Sequence, residues 1–171
     1  LNMGAIKDSL TFDDVSLVPQ YSSVQPSDTN TLTKLCDNLN LQIPLISSAM
    51  DTVTESKMAI AISELGGIGV IHRNLSIEKQ VMEIKKVKKN NYLVGAAIGV
   101  NPEDLERAEE LSKVKTDLIV IDTAHGHTQK VLNMIKKIKK KLKNCTICAG
   151  NIATGRRSEE RRVGKECRSR W

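Results

Sequence analysis

The chain has 171 residues, of which 40% are hydrophobic and 27% are charged, and its formal net charge is +6. This balance is typical of a globular protein, and no apolar run approaches the roughly 18 residues that a membrane span needs. Aromatic residues make up only 2%, so the chain lacks a stacking platform for nucleic acid, and we attribute its positive charge to a basic tail and a lysine-rich helix face.

Apolar runs alternate with amphipathic segments along the chain. The runs, which we interpret as strands, are residues 43–49, 68–72, 94–100, 118–122 and 146–149. The segments between them, which we interpret as helices, are residues 54–65, 76–89, 101–115 and 128–142. Thr54, Ser76 and Asn101 are the expected cap residues of the first three helices, because short polar side chains accept hydrogen bonds from the free N–H groups of a first turn.

This alternation predicts an α/β fold with a parallel sheet, since strands that are apolar throughout are buried on both faces. The pattern alone is compatible with a doubly wound open sheet and with a (β/α)8 barrel. No G-x-G-x-x-G sequence follows the first strand, which weakens a dinucleotide-binding interpretation of the doubly wound kind.

Polar residues follow most of the predicted strands at their carboxyl ends, where α/β folds place their functional residues. The groups are Ser47, Ser48 and Asp51; His72, Arg73 and Asn74; Asp122, Thr123, His125 and His127; and Gly150 with Asn151. Their recurrence at one end of the sheet predicts a functional site there.

The chain has four cysteines and no evident secretory signal, which favours a reducing, cytoplasmic location. Cys145 and Cys148 have C-x-x-C spacing within a predicted strand. Side chains three positions apart in a strand face opposite sides, so we expect neither a disulfide nor a metal site there.

Five segments resemble the IMP dehydrogenase/GMP reductase family in order and spacing. They are LTFDDVSLVP, IPLISSAMDTVTE, GGIGVIHRN, VIDTAHGHT and AGNIAT, which together span residues 10–154. The resemblance implies a (β/α)8 TIM barrel that is incomplete, with about five of its eight βα units present. The sequence SSAMDTVTE is similar to the dehydrogenase form rather than the reductase form.

The resemblance therefore implies NAD-dependent oxidation of IMP to XMP in guanine nucleotide synthesis. GMP reductase is the alternative within the family, and a non-catalytic half-barrel that binds a nucleotide or a partner is the alternative outside it. The resemblance also implies that the full-length protein assembles as a homotetramer and takes IMP as its substrate. No nucleic-acid or membrane partner is expected.

Site roles follow from the resemblance position by position. Ser48 and Met50 resemble the contacts of the IMP phosphate, ribose and base. Cofactor contacts are implied for four residues: Asp122, which resembles the acid that binds the nicotinamide ribose of NAD, its pocket neighbours Thr123 and Ala124, and Asn151 near the carboxamide. Ordinary core packing is the alternative for Met50, and a cap is the alternative for Asp122.

Several family features have no counterpart in this sequence. The nucleophilic cysteine lies in a G-x-G-S-x-C-x-T loop that also shapes a K+ site, and neither that motif nor a metal site is predicted here, so no catalytic residue is assigned. The paired CBS domains that many members carry before the third strand are missing. Residues 1–155 are expected to be barrel sequence, whereas 156–171 resemble a translated sequencing adapter and are expected to be non-native. We expect this chain alone to be inactive.

Overall fold

A computed structural model of the protein describes residue 11, residues 13–142 and residues 145–152. The chain divides into two units, the first ending at Asn30 and the second beginning at Thr31. The described part of the first unit is exposed and has one short 3-10 turn, Pro26–Asp28. The Asp14 carboxylate accepts a hydrogen bond from the Thr11 N–H at 3.1 Å.

The second unit contains two sheets. A two-stranded antiparallel hairpin pairs β1 (Thr33–Cys36) with β2 (Leu39–Leu41). The main sheet is parallel and five-stranded, and it comprises β3 (Ile46–Ser47), β4 (Ile68–Ile71), β5 (Val94–Ile98), β6 (Leu118–Asp122) and β7 (Ile147–Gly150).

The strands of the main sheet lie side by side in the order in which they occur in the chain. A doubly wound sheet reverses its strand order at a switch point, whereas successive βα units of a barrel add strands in one direction. The sequential order therefore decides between the two architectures that the sequence left open. The sheet is a curled half-barrel, consistent with an incomplete TIM barrel.

Four helices connect the strands of this sheet. They are α1 (Ser56–Glu64), α2 (Ile77–Lys88), α3 (Glu103–Lys113) and α4 (Gln129–Lys141). The main core lies between these helices and the sheet, and β4 and β5 are buried along their whole length. No helix in the described ranges has both the length and the apolar character that a membrane span requires.

The hairpin packs at the amino ends of the strands. Its Leu39 and Leu41 are buried in a second cluster with Ile68 and Leu118, which are the first residues of β4 and β6. This end of the sheet is therefore covered by apolar packing, and the loops at the carboxyl ends are left to carry polar residues.

The predicted start of the first helix is wrong. α1 begins at Ser56, and the cap position is taken by Glu55, whose side chain makes no cap hydrogen bond. The Ser56 N–H donates instead to Glu83 on α2, at 2.8 Å. Burial alone would raise the pKa of the Glu83 carboxyl, but hydrogen bonds from Lys86 and Ser56 outweigh it and leave the pKa below its ordinary value.

The start of the third helix is also wrong, because Asn101 is not its cap. Pro102 takes that position, and the Asp104 carboxylate reaches back to accept from the Asn101 N–H at 2.9 Å. The cap of the second helix is confirmed, since the Ser76 hydroxyl accepts from the Lys79 N–H at 3.3 Å.

Candidate functional site

The carboxyl-end loops of the main sheet carry the site residues that the sequence predicts. Ser48 and Met50 follow β3, Asp122 ends β6 with Thr123 and Ala124 directly after it, and Asn151 follows β7. In a parallel sheet these positions share one edge. The structure therefore places all six predicted site residues at the same end of the half-barrel.

The loop that carries Ser48 and Met50 is folded tightly on itself. The Met50 N–H donates to the Ser48 carbonyl at 2.9 Å, and the Met50 carbonyl accepts from Val53 and Thr54, each at 3.0 Å. The side chains of Ser48 and Met50 are nevertheless exposed, Met50 by 55%. Among the described residues Met50 is therefore exposed rather than packed in the core.

The loop after β4 is attached to the loop after β3. The Asn74 side-chain amide donates to the Asp51 carboxylate at 3.2 Å, and the His72 N–H donates to the Thr54 carbonyl at 3.4 Å. His72 is only 3% exposed, and its Nε2 lies 3.3 Å from Glu55 Oε1. His72 is therefore a buried residue of this loop that contacts both Thr54 and Glu55.

A buried polar network beneath the loops was missed by sequence reasoning. Gln80 on α2 is fully buried, and its Nε2 donates to the carbonyls of Ala97 at 2.9 Å and His72 at 3.1 Å, at the ends of neighbouring strands. Its Oε1 accepts from Arg107 of α3 at 2.8 Å. The signal was present, since Gln80 lies on the face of α2 that also buries Ile84 and Val87.

The loops after β6 and β7 are joined directly. The Asn151 N–H donates to the Thr123 carbonyl at 2.7 Å, and the Thr123 hydroxyl donates to the Gly150 carbonyl at 2.6 Å. Gly126 closes the group, because its N–H donates to the Asn151 carbonyl at 2.7 Å. A β-carbon on Gly126 would lie 2.9 Å from that oxygen, so the close approach requires glycine.

Asp122 is half-buried at the end of β6, paired in register with Gly150. The described residues supply no hydrogen-bond partner for its carboxylate, so a cap role finds no support in this part of the chain. Ala124 is exposed next to it. Free carboxylate oxygens at a strand end are suited to accept hydrogen bonds from vicinal hydroxyl groups of a ligand.

The structure forms two clusters rather than one. Thr123 and Asn151 are in direct contact, but Ser48 and Met50 follow β3, which lies three strands from β6 and four from β7. With neighbouring strands about 4.8 Å apart, the separation is roughly 14–19 Å along the sheet, less any curvature. That span is suited to a ligand, or a pair of ligands, larger than a single nucleoside.

His125 and His127 stack on each other, with ring centroids 5.8 Å apart. Residues 11, 13–142 and 145–152 contain no group of three potential metal-ligating side chains. Among the described residues Cys36, Cys145 and Cys148 form no disulfide, and burial raises the pKa of the Cys145 thiol. The polar side chains described at this edge include the carboxylate of Asp122, the hydroxyl of Thr123 and the amide of Asn151.

A cleft lies at the opposite end of the sheet. Its volume is about 470 Å³, and it is lined by residues that precede strands, including Leu93, Asp117 and Thr146. This cleft is not at the end where α/β barrels place their sites, which is the carboxyl end of the strands.

Residues 9–162 match the family described as the IMP dehydrogenase / GMP reductase domain. The match extends past residue 155, where we expect native sequence to end. Residues 153–171 lie outside the described residues, so the non-native tail stays a prediction.

Similar proteins include an inosine-5'-monophosphate dehydrogenase of Borreliella burgdorferi, 42% identical over 198 residues that cover 86% of this chain and 49% of the relative. The inosine-5'-monophosphate dehydrogenase of Cryptosporidium parvum is 39% identical over 194 residues, and the alignment covers 88% of this chain and 48% of that relative. The inosine-5'-monophosphate dehydrogenase of Aquifex aeolicus is 28% identical over 277 residues, and the alignment covers 87% of this chain and 56% of that relative.

The chain thus spans about half the length of the curated relatives it matches. The 277-residue alignment exceeds the length of the whole chain, so the Aquifex aeolicus relative carries a long internal stretch with no counterpart here. The family match, the strand order and the relatives agree, and the chain belongs to the IMP dehydrogenase/GMP reductase family.

Proposed function

We propose that the complete protein oxidises IMP to XMP with NAD and thereby serves guanine nucleotide synthesis. The observation that carries this proposal is the similarity, over most of the chain, to relatives named inosine-5'-monophosphate dehydrogenase. The sequence SSAMDTVTE at residues 47–55 supports the dehydrogenase over the reductase, which it resembles less.

Ser48 and Met50 are the proposed IMP contacts. Both side chains are exposed on a loop whose backbone is fixed by internal hydrogen bonds, so they are available to a ligand without rearrangement. A serine hydroxyl suits a phosphate or ribose oxygen, and a methionine side chain suits the flat apolar surface of a purine. Preorganisation of this kind lowers the entropic cost of binding.

Asp122, Thr123, Ala124 and Asn151 are the proposed cofactor contacts. The residues fit a dinucleotide: the Asp122 carboxylate is free to accept both ribose hydroxyls, and the Asn151 side chain can both donate to and accept from a carboxamide. NAD, when bound, would supply the hydride acceptor. The protein contribution here is to hold and orient it, through loops that Thr123 and Asn151 tie together.

The remaining chemistry is assigned to the part of the protein outside this chain. The proposed reaction needs a cysteine nucleophile, which splits a difficult substitution into two easier steps, and the family resemblance implies a K+ site in the same loop. The sequence contains no G-x-G-S-x-C-x-T motif. This chain would therefore supply substrate and cofactor contacts, with no turnover of its own, to a homotetrameric enzyme.

The cofactor assignment is tested with Asp122→Asn in the complete protein. The amide keeps the shape of the side chain but loses a charged acceptor, and hydrogen bonds to charged groups contribute about 1.5–3 kcal/mol. We expect the KM for NAD to rise about tenfold or more while the KM for IMP stays the same. Steady-state kinetics with each substrate varied in turn measures both.

Asp117→Asn is the matched control, because it changes the same residue type at the other end of β6. Asp117 accepts from Lys88 Nζ at 2.8 Å and from the Val94 N–H at 2.8 Å, so it has a structural role. The control should lower the melting temperature and leave the KM for NAD unchanged. Equal effects of both variants on the KM for NAD would refute the cofactor assignment of Asp122.

A further inference from the structure

Thr54 is fully buried beneath the loop that carries Ser48 and Met50, and each of its polar atoms has a partner in that region. Its hydroxyl donates to the Ser48 carbonyl at 2.5 Å and lies 3.0 Å from Ser47 Oγ. Its N–H donates to the Met50 carbonyl at 3.0 Å. The Thr54 carbonyl accepts from the His72 N–H, and this bond attaches Thr54 to the residue that follows β4.

These bonds fix the loop at its base. Ser48 and Met50 are exposed, so their positions depend on the backbone between them rather than on packing of their side chains. Of the further links to the loop after β4, the Asn74–Asp51 bond is exposed to water and correspondingly weak, and the contact of His72 with Glu55 lies beyond residues 48–54. The Thr54 hydroxyl is the buried side-chain group that reaches the Ser48 carbonyl.

We propose that Thr54 is a positioning residue that holds residues 48–54 in the conformation that receives the phosphate, ribose and base of a purine nucleotide. This inference rests on the proposed function of Ser48 and Met50 as IMP contacts. Thr54 is buried away from any ligand, and it acts through the carbonyls of Ser48 and Met50.

The hydroxyl is the part of the Thr54 side chain that holds the loop, because it donates to the Ser48 carbonyl. Valine has nearly the shape of threonine, but it cannot donate to the Ser48 carbonyl, so Thr54→Val releases the loop while keeping the packing beneath it. Thr54→Ser keeps the donor and removes a methyl group. A loosened loop weakens nucleotide binding before any chemistry occurs, so the effect should be on the KM for IMP rather than on the KM for NAD.

The test compares Thr54→Val and Thr54→Ser in the complete protein, with steady-state kinetics and with hydrogen–deuterium exchange of residues 47–55. Thr54→Val should raise the KM for IMP about tenfold, the equivalent of about 1.4 kcal/mol, and should speed exchange in this segment. The KM for NAD should not change. Thr54→Ser should restore both the slow exchange and most of the affinity for IMP.

Thr116→Val is the matched control for general loss of stability. The Thr116 hydroxyl donates to the Leu111 carbonyl at 2.7 Å, a bond of the same kind just before β6 at the opposite end of the sheet. This control should lower the melting temperature without changing the KM for IMP.

The possible failures are distinct. If Thr54→Val leaves exchange in residues 47–55 unchanged, or speeds exchange without raising the KM for IMP, the positioning role is overturned. If the unmodified complete protein does not turn over IMP at all, the proposed function fails. The exchange data would then still decide whether Thr54 holds the loop.

Discussion

Asp117 directly precedes β6 and Asp122 is its last residue, and their carboxylates differ in hydrogen bonding. The Asp117 carboxylate accepts hydrogen bonds from Lys88 and from the Val94 N–H. The described residues provide no hydrogen-bond partner for the Asp122 carboxylate. In barrels of this type, polar residues at the amino ends of strands stabilise the fold and those at the carboxyl ends bind ligands. Sequence position relative to a strand was therefore enough to select Asp122 as a candidate.

Gly69 shows a residue-scale constraint of another kind. It lies in buried β4 beneath α1, and a β-carbon there would lie 2.5 Å from the Ala59 Cα. Gly69→Ala must therefore push α1 away from the sheet, and overpacking of this kind costs about 1–3 kcal/mol. We expect a clearly lower melting temperature for the complete protein by differential scanning fluorimetry.

Gly150→Ala is the control for that substitution, because a β-carbon on Gly150 would meet nothing within 4 Å. Its melting temperature should stay close to that of the unmodified protein. Equal destabilisation by both substitutions would show that loss of glycine flexibility, rather than the contact with Ala59, sets the cost.

At the scale of elements, the sequence predicted every strand and helix of the main sheet but misplaced two helix starts. Periodicity determines where an element exists, whereas a cap depends on which partner reaches the first turn. At the start of α1, the Ser56 N–H donates to Glu83, which is distant in sequence. At the start of α3, the Asn101 N–H donates to Asp104, which lies inside the helix. Glu83 lies outside the local residues that suggested Thr54, whereas Asp104 lies close to Asn101 in sequence, but the direction of its hydrogen bond was not anticipated.

Gln80 joins several elements, because it connects α2 to the ends of β4 and β5 and to Arg107 of α3. Gln80→Leu would leave buried carbonyls and the Arg107 guanidinium without this partner, at about 1–3 kcal/mol for each unsatisfied group. We expect a large fall in the melting temperature. Gln129→Leu, an exposed change of the same type on α4, should have little effect.

A melting temperature for Gln80→Leu equal to that of Gln129→Leu would contradict the structural importance of the network. Sequence reasoning missed Gln80 because the apolar face of α2 was defined by its hydrophobic residues. A polar side chain at a buried position of a helix is itself the signal, since burial without hydrogen-bond partners is too costly to persist.

At the scale of the whole molecule, strand order was the feature that periodicity could not supply. The resemblance implied a barrel, and the sequential order of the five parallel strands agrees with it. The distance between the loop that carries Ser48 and Met50 and the loops that carry Thr123 and Asn151, in contrast, depends on the sheet as a whole. In the described chain β3 pairs only with β4 and β7 only with β6, so both sides of the half-barrel present unpaired backbone groups.

Those edges predict the behaviour of the 171-residue chain on its own. Unpaired strand edges recruit further strands, so we expect the isolated chain to self-associate or precipitate. Size-exclusion chromatography with light scattering would measure this directly. A stable, monodisperse monomer would instead support the alternative of a non-catalytic half-barrel that functions by itself.

The most direct test of the central claim is the substrate specificity of the complete protein, measured as NADH formation with IMP and as NADPH consumption with GMP. We predict IMP-dependent NADH formation, abolished when IMP is omitted, and no consumption of NADPH with GMP. GMP-dependent NADPH consumption without IMP oxidation would show that the protein is a reductase of the same family and would contradict the proposed function.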